Sequence, residues 1–132
     1  MIVPGISFPG TCAEAHELYK QAFGMEVNSI AYYDHAPSEY YEEPLTEETK
    51  KLILHSECSI YGIRINMGDN MEGIAALGNF NVFLSSEDEV RKVFNILKEG
   101  AIVESEPQQV FWSSLHCSLI DRFGINWQIM TE

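Results

Sequence analysis

The feature that most constrains this chain is an internal echo. Thr11-Cys-Ala-Glu14 opens a stretch in which Ala15, Leu18, Tyr19, Ala22 and Phe23 recur at helical spacing. A shift of 75 residues brings Ser86-Glu-Asp-Glu89, followed by Val90, Val93, Phe94 and Leu97 at the same spacing. Both openings have the form of a capping box, in which a hydroxyl accepts from the amide three residues on. Gly24 and Gly100 follow as helix stops. The same shift sets Asn79 to Leu84 on Pro4 to Pro9, apolar stretches that read as strands. Leu54-His55 with Gly62-Ile63 returns as Leu115-His116 with Gly124-Ile125, the second turn one residue longer. Two helices can share a pattern by chance. A strand, a capped helix and a hairpin recurring in one order rarely do.

With further strands at Glu26 to Tyr33 and Ala101 to Glu106, each half reads as strand, helix and three strands. The last hairpin is the plainest: Ser113 to Ile120, a turn at Asp121-Arg-Phe-Gly124, then Ile125 to Met130. A four-stranded half leaves an apolar face uncovered, so the two are expected to combine. The expectation is an α+β protein of two βαβββ modules, residues 1–70 and 76–132, forming one curved mixed sheet around a cleft with the helices outside. A chain of 132 residues makes this a single domain with a real core.

A net charge of −12 disfavours nucleic acid and anionic membrane surfaces, which would repel the protein. No apolar run approaches a membrane span, and Met-Ile-Val-Pro-Gly has no basic region followed by an apolar one, so a cytoplasmic protein is expected. Cys12, Cys58 and Cys117 are odd in number and lack CxxC spacing, which points to free, packed thiols. His16 and His35 fall on a helix and in a loop, as exposed side chains. Asp34 to Lys51 is acidic, holds the pair Tyr40-Tyr41, and reads as a solvated loop with a helical turn near Thr46 to Lys51. Alternatively it is a lid or a contact for a partner protein.

The twofold βαβββ order resembles the vicinal oxygen chelate superfamily of glyoxalases, bleomycin resistance proteins and dioxygenases. The resemblance is carried by Phe8 with Gly10, Glu14-Ala15, Leu18-Tyr19, Phe23-Gly24, His55, Phe111-Trp112 and Asp121-Arg-Phe-Gly-Ile-Asn-Trp127. It is similar above all to the PhnB-like branch, which bears a 3-demethylubiquinone methyltransferase-like label. No glycine-rich cradle for a nucleotide-type cofactor accompanies that label here, and no cofactor is expected.

The resemblance implies a divalent metal held by the first and last strands of each half, at Pro4, Asn66, Asn79 and Gln128. Proline has no side-chain donor, and neutral amides are poor ligands for zinc, iron or manganese. The expectation is therefore a metal-independent small-molecule binding protein, with Asn66, Asn79, Asn81, Trp112 and Gln128 lining an apolar pocket near Phe83. The ligand would be uncharged or cationic, and the resemblance implies a homodimer. The alternative is a lyase- or dioxygenase-type enzyme using His55, Glu57 and His116, with His55 and Glu57 on one strand face as a base pair. A protein-interaction module built on the tyrosine loop is the third reading.

Overall fold

The computed structural model describes residues 1–132. Two compact units follow one another, Met1–Ala76 and Leu77–Glu132. The first runs β1 (Gly5–Phe8), α1 (Cys12–Phe23), β2 (Glu26–Tyr32), β3 (Ile53–Ile60) and β4 (Ile63–Asp69). The second repeats the order as β5 (Asn79–Leu84), α2 (Glu87–Leu97), β6 (Ile102–Val110), β7 (Ser113–Ile120) and β8 (Asn126–Thr131). The α+β class and the twofold βαβββ order are thus as expected. The sheet expected from sequence resolves into two of four strands, β1-β4-β3-β2 and β5-β8-β7-β6. In each, the first strand lies parallel to the last, and the hairpin strands run antiparallel. A parallel pair needs a long crossover, which the helix and the strands after it supply. No helix is long and apolar enough to cross a membrane.

The register corrects one detail of the internal repeat. Ile6 lies opposite Met67, and Val82 lies opposite Ile129. Ile6 therefore corresponds to Val82, one residue beyond the match that the helices give. The cause is the connection into each helix: Pro9, Gly10 and Thr11 in the first unit, but only Ser85 and Ser86 in the second. Gly10, at φ 88°, makes the extra residue fit by donating its amide to Phe8. The positions opposite Asn66 and Gln128 are in consequence Gly5 and Asn81, not Pro4 and Asn79.

Each helix buries the face that its spacing announced. In the first unit Ala15, Leu18, Tyr19 and Phe23 are buried, as are Phe8, Cys58, Ile65 and Met67 on the strands. In the second, Val90, Val93 and Leu97 are buried, as are Leu84, Leu119, Trp127 and Ile129. Alternation along the strands sends every second residue to the opposite face. Trp127 anchors the second core, stacked on Phe80 at 5.1 Å and donating its indole N–H to Asp121 Oδ2 at 2.8 Å. Asp121 Oδ1 accepts from the amides of Phe123 and Ile125, so one carboxylate shapes the turn and fixes the tryptophan beside it.

The two helices start differently. Ser86 caps α2 as expected, its hydroxyl accepting from Glu89 N at 3.2 Å while Ser85 donates to the Glu89 carboxylate. Thr11 makes no such bond. Its place is taken by Asp69, at the end of β4, whose Oδ1 accepts from Cys12 N and Oδ2 from Ile53 N, both at 2.9 Å. Burial pushes the Asp69 carboxyl above the usual carboxylate range, against amide donors that pull it down. His16 is not exposed either: it lies in the first core at 4% accessibility. The Ser56 hydroxyl donates to Met67 O, so His16 Nε2 donates to Ser56 Oγ at 2.9 Å, with Cys12 and Cys58 sulfurs at 3.5 and 3.6 Å. His16 follows Cys12 by four residues and precedes Tyr19 by three, which places it inside the buried stripe.

Two predictions follow from these buried groups. Asp69→Asn keeps one acceptor for two amides, and should lower unfolding free energy in urea titrations by about 1–3 kcal/mol. Burial lowers the His16 pKa from its ordinary value, so the unfolded chain takes up its proton first as pH falls. The neutral imidazole's contribution is present above the unfolded value near 6.5 and is lost below it. The stability difference between wild type and His16→Gln should therefore shrink on acidification from pH 7.5 to 5.5, by at most about 1.4 kcal/mol per pH unit. Urea titrations of both proteins at several pH values measure it.

Candidate functional site

The sheet face turned away from α2 carries a connected set of polar side chains. Alternation places His116 and Ser118 there from β7, Gln128 and Asn126 from β8, and Asn79, Asn81 and Phe83 from β5. Gln128 sits at the centre: its Oε1 lies 2.9 Å from His116 Nε2, and its Nε2 donates to Ser118 Oγ at 2.8 Å. Ser118 Oγ donates to Glu104 Oε1 at 3.1 Å, and Asn126 Nδ2 donates to the same oxygen at 3.3 Å. His116 is buried at 6% accessibility. Its Nδ1 is buried without a hydrogen-bond partner. Trp112 stands edge-on to the imidazole at 5.4 Å and to Phe111 at 4.7 Å, on the turn between β6 and β7. The two rings are 53% and 97% exposed, and Phe83 is exposed as well.

The corresponding face of the first unit is arranged otherwise. His55 is exposed and Glu57 half-buried on β3. Glu57 pairs with Arg64, Oε1 to Nε at 3.1 Å, and the same Nε donates to Asn66 Oδ1 at 3.1 Å. The partner of Glu57 is thus an arginine on the next strand and not His55. A shallow depression of about 300 Å³ holds His55 and Asn66 beside Gly5, Ser7 and Gly68. Gly68 permits the close approach of β3, since a Cβ there would meet the Leu54 carbonyl oxygen at 2.6 Å.

The side chains at the positions that the resemblance implies for a metal, and at Gly5, which the register sets opposite Asn66, do not fit a divalent cation. Pro4 and Gly5 offer no side-chain donor, and Asn66 Oδ1 is engaged by a guanidinium. Gln128 is held at both ends of its amide. No group of three or more His, Cys, Asp or Glu side chains gathers as a ligand set.

The acidic loop folds into three short 3-10 turns, at Tyr33–His35, Ser38–Tyr40 and Thr49–Lys51, the last as expected. It bounds a cavity of about 480 Å³ lined by Tyr33, Tyr40, Tyr41 and Met71 with four glutamates. Tyr33 is anchored below by donating its hydroxyl to Asp69 O at 3.0 Å.

Sequence reading expected Asn66, Asn79, Asn81, Trp112 and Gln128 to line one pocket; Asn79, Asn81, Trp112 and Gln128 belong to the second unit, and Asn66 lies on β4 of the first, engaged by Arg64. That reading missed Ser118, Glu104 and Asn126, which complete the network. Polar residues two apart on adjacent strands, His116 with Ser118 and Asn126 with Gln128, were the available signal.

No family model matches the chain. Protein YjdN of Escherichia coli K12 is 26% identical over 134 residues, covering 96% of this chain and 91% of that protein. Protein PA1353 of Pseudomonas aeruginosa superimposes with a TM-score of 0.81 at 28% identity, over 100% of this chain and 97% of that one. A PhnB protein from Bacillus cereus, described as a putative 3-demethylubiquinone-9 3-methyltransferase, also reaches 0.81, at 20% identity over 99% and 98% of the two chains. A glyoxalase/bleomycin resistance protein/dioxygenase family enzyme from Burkholderia phytofirmans gives 0.59, at 15% identity over 96% and 94%. The chain therefore shares its fold with these structures, the PhnB protein and the glyoxalase/bleomycin resistance protein/dioxygenase family enzyme among them.

Proposed function

We propose that the protein binds a small molecule without the help of a metal ion, on the aromatic-edged polar face of its second sheet. The observation that carries this reading is the network centred on Gln128, ordered within hydrogen-bonding distance throughout and flanked by exposed rings at Trp112 and Phe83. Ligand sites commonly join a few placed polar groups to apolar surface in this way. Asn79 and Asn81 are exposed and meet the ligand directly, whereas Gln128 orders the face from beneath. Asn66 plays the matching part on the first unit. The protein is cytoplasmic and works as a homodimer, with no role for nucleic acid or membrane. A net charge of −12 favours an uncharged or cationic ligand.

The enzymatic reading through His55, Glu57 and His116 has less support, because the Glu57 carboxylate is paired with Arg64. The interaction-module reading is weakened by Tyr40 and Tyr41, which line a cavity of their own chain.

Mass spectrometry of compounds released from natively purified protein tests the proposal. One compound should be retained near stoichiometrically and survive dialysis against EDTA. Asn81→Ala should retain it with about tenfold weaker affinity, the upper range for one lost hydrogen bond. Stoichiometric zinc, iron or manganese by elemental analysis, with the compound lost on chelation, would overturn the metal-independent reading.

A further inference from the structure

His116 Nδ1 calls for an explanation, because a buried acceptor left without a donor costs about 1–3 kcal/mol. The network itself fixes which nitrogen this is. A carboxylate oxygen only accepts, so Ser118 Oγ–H and Asn126 Nδ2–H must both point at Glu104. Ser118 Oγ is then left to accept, and the Gln128 amide N–H₂ must face it. That orientation turns Gln128 Oε1 towards His116, whose Nε2 must carry the hydrogen. In the neutral ring Nδ1 is consequently the lone-pair nitrogen, an acceptor directed away from the network. Trp112, half-exposed and carried on a two-residue turn, packs edge-on against the same imidazole ring at 5.4 Å between centroids.

We propose that His116 Nδ1 is the acceptor for the proton donor of a planar heterocyclic ligand, reached when the Trp112 ring turns outward and offers its face to that ligand. The ligand class is a flat molecule bearing an N–H or O–H at its edge. Glu104 is a positioning residue: it touches no ligand, but through Ser118, Asn126 and Gln128 it sets the tautomer that His116 presents. This inference rests on the small-molecule reading above and adds the chemistry of its recognition.

Indole and 1-methylindole are the probes, alike in shape and differing in one N–H. Two-bond proton–nitrogen correlation spectra of the full chain, labelled at histidine, should show His116 protonated at Nε2, its signals assigned with His116→Gln. Indole should move the His116 Nδ1 resonance and bind about threefold to tenfold better than 1-methylindole, as one hydrogen bond allows. Glu104→Gln can donate as well as accept, so the chain of bonds can reverse. That variant should show mixed tautomers and lose the preference, with an unchanged far-UV circular dichroism spectrum. An Nδ1-protonated ring, equal affinities for the probes, or no response to indole would each overturn the proposal. Should both probes shift Asn81 while Nδ1 stays unmoved, the face binds ligands but His116 is not their acceptor, and the preceding reading survives.

Discussion

The first unit depends on one buried carboxylate. Asp69 ends β4, receives the first amide of α1 and the first amide of β3, and offers its own carbonyl to Tyr33. Four segments distant in sequence are thereby tied at one point. A charge in such a place is expensive, and desolvation does raise its pKa. Amide donors offset that cost, and α1 gains a negative group at its positive end. The second unit meets the same need without charge. Thr131 occupies the position of Asp69, opposite Leu84 as Asp69 is opposite Phe8, and exchanges hydrogen bonds with Ser113 and Ser114. Ser86 then caps its helix unaided.

This difference extends to the faces turned away from the helices. His55 and His116 hold corresponding strand positions, yet the first is open to solvent and the second is enclosed by a donor–acceptor chain. Asn66 and Gln128 correspond as well, and one meets a guanidinium where the other meets an imidazole. The duplicated backbone thus carries two unlike surfaces. The scaffold constrains where side chains point, and the few residues at those points decide what they can recognise.

Helices and hairpins were legible because their signals are local. The spacing of Ala15, Leu18, Tyr19 and Phe23, the Ser86 cap and the Asp121-to-Gly124 turn each lie within a few residues. What escaped was long-range. Thr11 has the residue type of a cap, but Asp69 supplies the acceptor from 57 positions away. The strand register slipped by one because a single extra residue before α1 leaves no mark on either periodicity. His16 was misplaced because a polar residue type was allowed to outweigh its position in the apolar stripe. The candidate site was half visible: amides could be placed on a face by alternation, but Glu104 enters from β6, whose pairing contains irregularities that spacing does not foretell.

The three thiols give the molecule a built-in chemical clock. Cys12, Cys58 and Cys117 are buried and unlinked, and burial raises all their pKa values, that of Cys117 to about 12. Thiolate is the reactive form, so an alkylating reagent finds none of them until the surrounding segment opens. Because two belong to the first unit and one to the second, the order of their modification reads out which half of the duplicated scaffold breathes first.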